Sequence, residues 1–146
     1  MIYEAKQYKI KEVIPETSDN VMLRVKTKLN PMPGQFVEVS IPGIGEAPIS
    51  SASYNKHELD LNVRVVGNVT GALLNFKKGD KLHLRGPYGR GYPMDEFKGQ
   101  DLILIGGGCG VAPIRGIIEY IDEHRLDYKE IHLFFGFRTP EDVLFK

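Results

Sequence analysis

The chain has 146 residues, a length that suits one domain or one and a fraction, and its 42% hydrophobic residues are spread evenly. Its 19 basic and 19 acidic side chains cancel and no basic block stands out, so nucleic acid is not an expected partner. No run of about 18 apolar residues occurs, and a single cysteine excludes an intrachain disulfide and a four-thiolate cluster. Neither a membrane span nor a metal held by this chain is expected, since His57, His83, His124 and His132 also lack ligand spacing. Residues 1–6 carry no apolar stretch of the signal-peptide kind, which makes the cytoplasm the expected compartment.

From Tyr8 to Arg85 the chain alternates. Val21, Leu23 and Val25 interleave with Met22, Arg24 and Lys26, and Leu59, Leu61, Val63 and Val65 interleave with Asp60, Asn62 and Arg64. That period of two predicts half-buried antiparallel strands. Further short strands fit residues 7–13, 36–40, 49–53 and 81–84, punctuated at Pro15, at residues 30–34, at Pro42-Gly43 and at Gly79-Asp80. A small β-barrel or sandwich follows, with a short helix starting near Val69-Thr70-Gly71 and carrying Leu73, Leu74 and Phe76 as an end plug. Tyr88 and Tyr92, beside a glycine turn, read as core cover.

The rhythm then changes to strand, helix, strand. Residues 102–105, a helix from Val111 to His124 and residues 131–135 form a βαβ pattern, which predicts two parallel strands buried on both faces. On the helix, Val111, Ile114, Ile117, Ile118 and Ile121 share one face at a 3.6-residue period, so that face is expected against the sheet. Thr139-Pro140-Glu141-Asp142 reads as a second helix start. Two strands and a helix of about six residues fall short of a stable doubly wound sheet. The α/β half therefore reads as incomplete: either the natural product is longer, or another copy or subunit supplies the rest of the sheet.

Between the first strand and the helix of that unit lies Gly106-Gly107-Gly108-Cys109-Gly110-Val111-Ala112-Pro113. A turn without side chains brings backbone N–H groups close to a diphosphate, and the helix N-terminus behind it favours negative charge. Such a turn also forms with nothing bound, so the flanking strand and helix are what make a dinucleotide or flavin site the expected reading. Arg64 is either an exposed strand residue or a phosphate contact, and Thr70 either an ordinary cap or a hydroxyl offered to a ligand.

Taken in order, Pro48-Ile49-Ser50-Ser51-Ala52-Ser53, Arg64-Val65-Val66-Gly67-Asn68-Val69-Thr70-Gly71, Gly86-Pro87-Tyr88-Gly89, the glycine run and Phe135-Gly136-Phe137-Arg138-Thr139-Pro140-Glu141-Asp142 resemble the ferredoxin–NADP reductase superfamily. The match spans the chain, and within the superfamily it is most similar to the electron-transfer or gamma subunits of dihydroorotate dehydrogenase B, cytoplasmic hydrogenases or sulfhydrogenases, and sulfide dehydrogenases. The resemblance implies an antiparallel, FAD-binding β-barrel over residues 1–98 and the N-terminal part of an NAD(P)-binding, Rossmann-like α/β domain over residues 99–146. It implies a flavin-dependent oxidoreductase subunit that moves electrons between NAD(P)H, a diffusible co-substrate, FAD and an iron–sulfur or catalytic partner subunit. A second copy covering the incomplete sheet is compatible with it. The alternative is a catalytically incomplete flavin- or nucleotide-binding fragment, or an assembly subunit of a larger redox complex.

By the same resemblance Pro48, Ile49 and Ser50 lie at the flavin, Ser50 as the catalytic residue near N5. Ala47 stands where the family carries a phosphate-binding arginine. Val63, Arg64 and Val65 run alongside the flavin, Val69, Thr70 and Gly71 meet the diphosphate, and Gly107, Gly108, Cys109, Gly110, Val111 and Pro113 hold the nicotinamide nucleotide. Cys109 is expected as a small residue of that turn, since the sequence places no base to activate it as a nucleophile.

Overall fold

The computed structural model describes residues 4–146, so the part of the N-terminal signal-peptide reading that falls on Met1, Ile2 and Tyr3 lies outside the described residues. Strands β1 (Lys6–Thr17), β2 (Asn20–Lys26), β3 (Phe36–Ile41), β4 (Gly45–Ser50), β5 (Glu58–Arg64) and β6 (Lys81–Tyr88) form one antiparallel six-stranded sheet in the order β4-β3-β6-β1-β2-β5. The sheet curls until its edges meet at a single bridge, Ser51 with Leu61, so it is barrel-like without being closed. Alternate positions fill the interior: Leu23 and Val25 from β2, Val37 and Val39 from β3, Leu59, Leu61 and Val63 from β5, Leu82 and Leu84 from β6. Helix α1 (Asn68–Leu73) plugs one end with Leu73, which is fully buried in this core.

Three strands differ clearly from their expected bounds: β6 runs on to Tyr88 instead of ending at residue 84, and β1 and β4 are also shifted. β1 does not stop before Pro15 but runs through it, with Pro15 opposite Val21. β1 pairs with β6 only from Lys6 to Lys9, so beyond that point one edge is unpaired and a missing N–H disrupts no ladder. β4 spans Gly45–Ser50 rather than residues 49–53, because after Ser50 the chain leaves β3: the Ala52 N–H donates to the Asp60 carbonyl at 2.8 Å. Pro48 sits opposite Glu38 on this outermost strand, where proline is tolerated.

The remainder is a parallel pair, β7 (Leu102–Gly107) and β8 (Ile131–Gly136), joined by helix α2 (Val111–Glu123). Ile114, Ile117, Tyr120 and Ile121 of α2 pack with Leu102, Met94 and Tyr128 in a second core. The expectation that both faces of these strands are buried is corrected: Ile103, Ile105 and Phe134 are 63%, 72% and 59% exposed. One helix covers one face, and no layer among the described residues covers the other. At Thr139 the expected helix forms only a single 3-10 turn, Pro140–Asp142, and Thr139 makes no side-chain cap. One turn fixes several backbone torsions for very few hydrogen bonds, so it does not propagate. No helix among the described residues is long and apolar enough to cross a membrane.

Candidate functional site

On β4 the alternation that builds the core also sorts the proposed flavin residues. Pro48 and Ser50 are exposed on the outer face, whereas Ile49 is buried in the barrel core. A ligand on the outer face therefore meets the backbone of Ile49, not its side chain. Beside the position that Ala47 takes from the family's arginine, another arginine lies on the same surface. Arg85 of β6 grips Glu46 through Nε–Oε1 at 2.6 Å and Nη2–Oε2 at 2.7 Å, and its Nη1 donates to the Tyr88 hydroxyl at 3.1 Å. The Arg85 guanidinium, with a hydrogen bond from Ser40, holds the Glu46 carboxyl below the usual carboxylate range. That guanidinium is already matched by a carboxylate in the fork-to-fork arrangement.

On β5, Val63 is fully buried in the core, while Val65 and Val66 emerge into the loop before α1, 38% and 80% exposed. Arg64 Nε donates to Asp19 Oδ2 at 3.0 Å, and Thr17 Oγ1 donates to Asp19 Oδ1 at 2.9 Å. The Thr17 hydrogen bond first, then Arg64, lowers the Asp19 carboxyl. Thr70 is the third residue of α1, not its cap. Its hydroxyl accepts the N–H groups of Val66 and Gly67 at 2.9 and 3.0 Å and donates to the Gly67 carbonyl at 3.2 Å. Val69 packs on Gly45, so α1 lies beside the start of β4.

The glycine run forms the end of β7 and a 3-10 turn, Gly108–Gly110, that leads directly into α2. Gly108 has φ +51°, in the left-handed region that favours glycine. A Cβ on Gly106 would lie 2.7 Å from Ile114 Cδ1, so that glycine serves the packing of strand on helix. A Cβ on Gly110 or Gly136 would meet nothing within 4 Å. Internal packing does not require glycine at either position, and the bare backbone there suits close approach of a ligand. Val111 is buried beneath the turn and Pro113 is half-buried.

A cleft of about 320 Å³ opens between this turn and the barrel, lined by Arg64, Gly108 and Cys109 together with Asp19, Asn20 and Arg138. The structure thus joins three expected residues with Asp19 and Asn20, which the sequence did not single out. Pro48, Ile49 and Ser50 lie outside this cleft. Asn20 and Asn62, both buried, exchange amide hydrogen bonds at 2.9 and 2.6 Å, and Asn20 Nδ2 lies 3.7 Å from Cys109 Sγ. These amides occupy the outer face of β2 and β5, where alternation predicts solvated side chains, because the glycine turn and α2 dock there. Polar residues at outward strand positions were the only sequence signal. Among the described residues no cluster of His, Cys, Asp or Glu side chains is arranged to hold a metal ion.

α2 is fastened to the barrel through Arg115. Its Nη1 donates to the Ala52 carbonyl at 2.7 Å and to Asp60 Oδ2 at 2.9 Å, and its Nη2 pairs with Glu119 at 2.9 Å. Asp60, 3% exposed, also receives Arg24 at 2.8 and 3.0 Å. Glu119 accepts the Tyr54 N–H at 2.7 Å, and Gly116 faces the Ser53 backbone, whose carbonyl oxygen would lie 3.3 Å from a Cβ.

The architecture is a barrel-like antiparallel sheet with a helix plug, followed by a βαβ unit with a glycine turn. Residues 104–146 match the family model of the oxidoreductase NAD-binding domain. The sulfhydrogenase 2 gamma subunit of Pyrococcus furiosus is 46% identical over 116 residues, 78% of this chain and 40% of that protein. The probable dihydroorotate dehydrogenase B (NAD+) electron transfer subunit of the same organism is 36% identical over 129 residues, 88% of this chain and 47% of that protein. A ferredoxin–NADP+ reductase from Neisseria gonorrhoeae, solved with bound FAD and NADP, superposes with a TM-score of 0.82 at 21% identity, covering 96% of this chain and 60% of that one. The chain is thus similar to electron-transfer subunits over most of its own length and shares the fold of the ferredoxin–NADP+ reductases. It spans about half the length of the curated relatives it matches.

Proposed function

We propose that this chain is a flavin-dependent electron-transfer subunit that binds FAD on the outer face of β4 and the β5–α1 loop and takes NAD(P)H at the glycine turn. The observation that carries the reading is the pair of bare glycines, Gly110 and Gly136, with positive-φ Gly108 two residues before the first of them, beside a cleft that Gly108 and Gly136 line together with Arg64 and Arg138. The open backbone of the glycines suits close approach of a dinucleotide phosphate, for which Arg64 and Arg138 would exchange their present partners in the cleft, Asp19 and Asp142. The start of α2, behind that turn, adds the favourable end of its dipole. For the flavin, exposed Pro48, Val65 and Val66 offer apolar surface and exposed Ser50 offers a hydroxyl. FAD, when bound, accepts a hydride and releases electrons singly.

Each residue then has a defined task. Ser50 donates a hydrogen bond at the flavin edge, near N5. The backbone of Ile49 and the chain from Val63 through Arg64 to Val65 line the ring system, while Val69, Thr70 and Gly71 shape the helix start for the diphosphate. Thr70 does this by holding the Val66 and Gly67 N–H groups, since its oxygen is already engaged. Gly107, Gly108, Cys109, Gly110, Val111 and Pro113 form the nicotinamide side. The division we adopt is residues 1–98 for the flavin unit and 99–146 for the nucleotide unit, although Met94 already packs in the second core. The gamma and electron-transfer names of the relatives support an iron–sulfur or catalytic subunit as acceptor, and a cytoplasmic setting stays part of our reading.

A visible absorption spectrum of the purified chain with FAD, before and after anaerobic NADH or NADPH, tests the reading: the flavin band is expected to shift on binding and bleach on reduction. Protein that takes up no FAD overturns it. Ser50→Ala is expected to slow flavin reduction in stopped-flow absorbance by roughly tenfold or more, with a smaller change in FAD affinity. Unchanged reduction would remove Ser50 from the role.

A further inference from the structure

Ala52 lies only two positions after Ser50, and Arg115 five positions after Gly110. Between those short arms the two halves touch. Arg115 donates to the Ala52 carbonyl and to buried Asp60, and through Glu119 it reaches the Tyr54 N–H. Gly116, the next residue, lies against the Ser53 backbone. The loop that follows the proposed flavin serine is thereby attached to the first turns of the helix that follows the glycine turn.

We propose that Arg115 is a positioning residue that sets the separation between Ser50 and the glycine turn, and so the distance over which hydride passes. The proposal rests on the flavin-reductase reading. Three properties support it. The contact with Ala52 is to backbone, so it registers the loop itself. The carboxylate between the halves is 3% exposed, which keeps the pair out of bulk water. Arg24 supplies a natural comparison: it binds the same Asp60 but otherwise pairs with Glu12 and Glu58, all on the barrel strands. Loss of either arginine weakens a buried network, whereas only loss of Arg115 releases α2 from the residue 51–54 loop. A displacement of about 1 Å between reacting groups slows a reaction by about a hundredfold.

The test compares Arg115→Gln and Arg24→Gln in the full chain loaded with FAD, with Arg115→Lys as the conservative variant. Both glutamine variants are expected to lower the melting temperature to a similar extent. Arg115→Gln is expected to slow flavin reduction by NADH or NADPH by about 10- to 100-fold with FAD affinity within about twofold, and Arg24→Gln to reduce at close to the wild-type rate. Arg115→Lys keeps a cation at Asp60 without the full fork, so it recovers melting temperature more than reduction rate. Equal slowing by the two glutamine variants, or slowing by neither, overturns the proposal. Amide hydrogen exchange separates this from the flavin reading, because it needs no cofactor. Arg115→Gln is expected to raise exchange in residues 51–54 and 107–114 well above Arg24→Gln. Equal exchange refutes the attachment even if FAD binds, while unreduced wild-type protein with the expected exchange pattern refutes only the redox reading.

Discussion

Gly67 caps α1 without a side chain, so the task of satisfying the loop donors passes to Thr70, three residues on. A helix of six residues has little intrinsic stability, and this hydroxyl closes the loop that launches it. Thr70→Ala is expected to cost about 1 kcal/mol in urea denaturation, and Thr70→Ser to retain most of it, because the oxygen alone makes the contacts. A stability change for Thr70→Ser as large as for Thr70→Ala would mean that methyl packing dominates. Threonine near a helix start was legible in the sequence; its reach backward was not, since nothing in the spacing says which residue is the cap. Ile49 was legible in a different way. The alternation Ala47, Ile49 against Pro48, Ser50 already assigns it inward, although the family pattern places it at the flavin.

At the level of elements, strands and helices followed from periodicity, whereas their ends depended on neighbours. β1 passes through Pro15 because of what β6 does not pair with, and β4 stops because the chain must cross toward β5. The β7–turn–α2 segment shows two kinds of glycine side by side. Gly110 has helical φ and ψ and open space, so Gly110→Ala is expected to leave thermal stability unchanged or slightly raised while weakening NAD(P)H binding in a titration. Gly106→Ala forces a Cβ against Ile114 and is expected to destabilise by about 1–3 kcal/mol. Equal nucleotide affinity in Gly110→Ala and wild type would count against the bare-backbone argument.

For the whole molecule, the order of barrel and βαβ unit was readable from the change of rhythm after Tyr88. The docking of the second on the outer face of β2 and β5 was not. Asn20 and Cys109 are 89 residues apart, and no local pattern reports a contact of that range. The one-sided burial of β7 and β8 gives a contrast that denaturation measures. Ile105→Lys, on the uncovered face, is expected to change stability by less than about 0.5 kcal/mol. Ile117→Ala, beneath α2, is expected to cost about 2–5 kcal/mol.

The attachment of α2 has a consequence for unfolding. The second core is small, and β7 and β8 leave one face bare, so the βαβ unit gains much of its stability from the surface on which it rests. Beyond β8, Leu144 is buried and the Phe145 N–H donates to Glu16 of β1 at 2.8 Å, which brings the chain back onto the barrel a second time. Melting of the barrel removes both supports at once. The two hydrophobic cores are therefore expected to unfold as one cooperative unit, giving a single heat-absorption peak in a calorimetric scan.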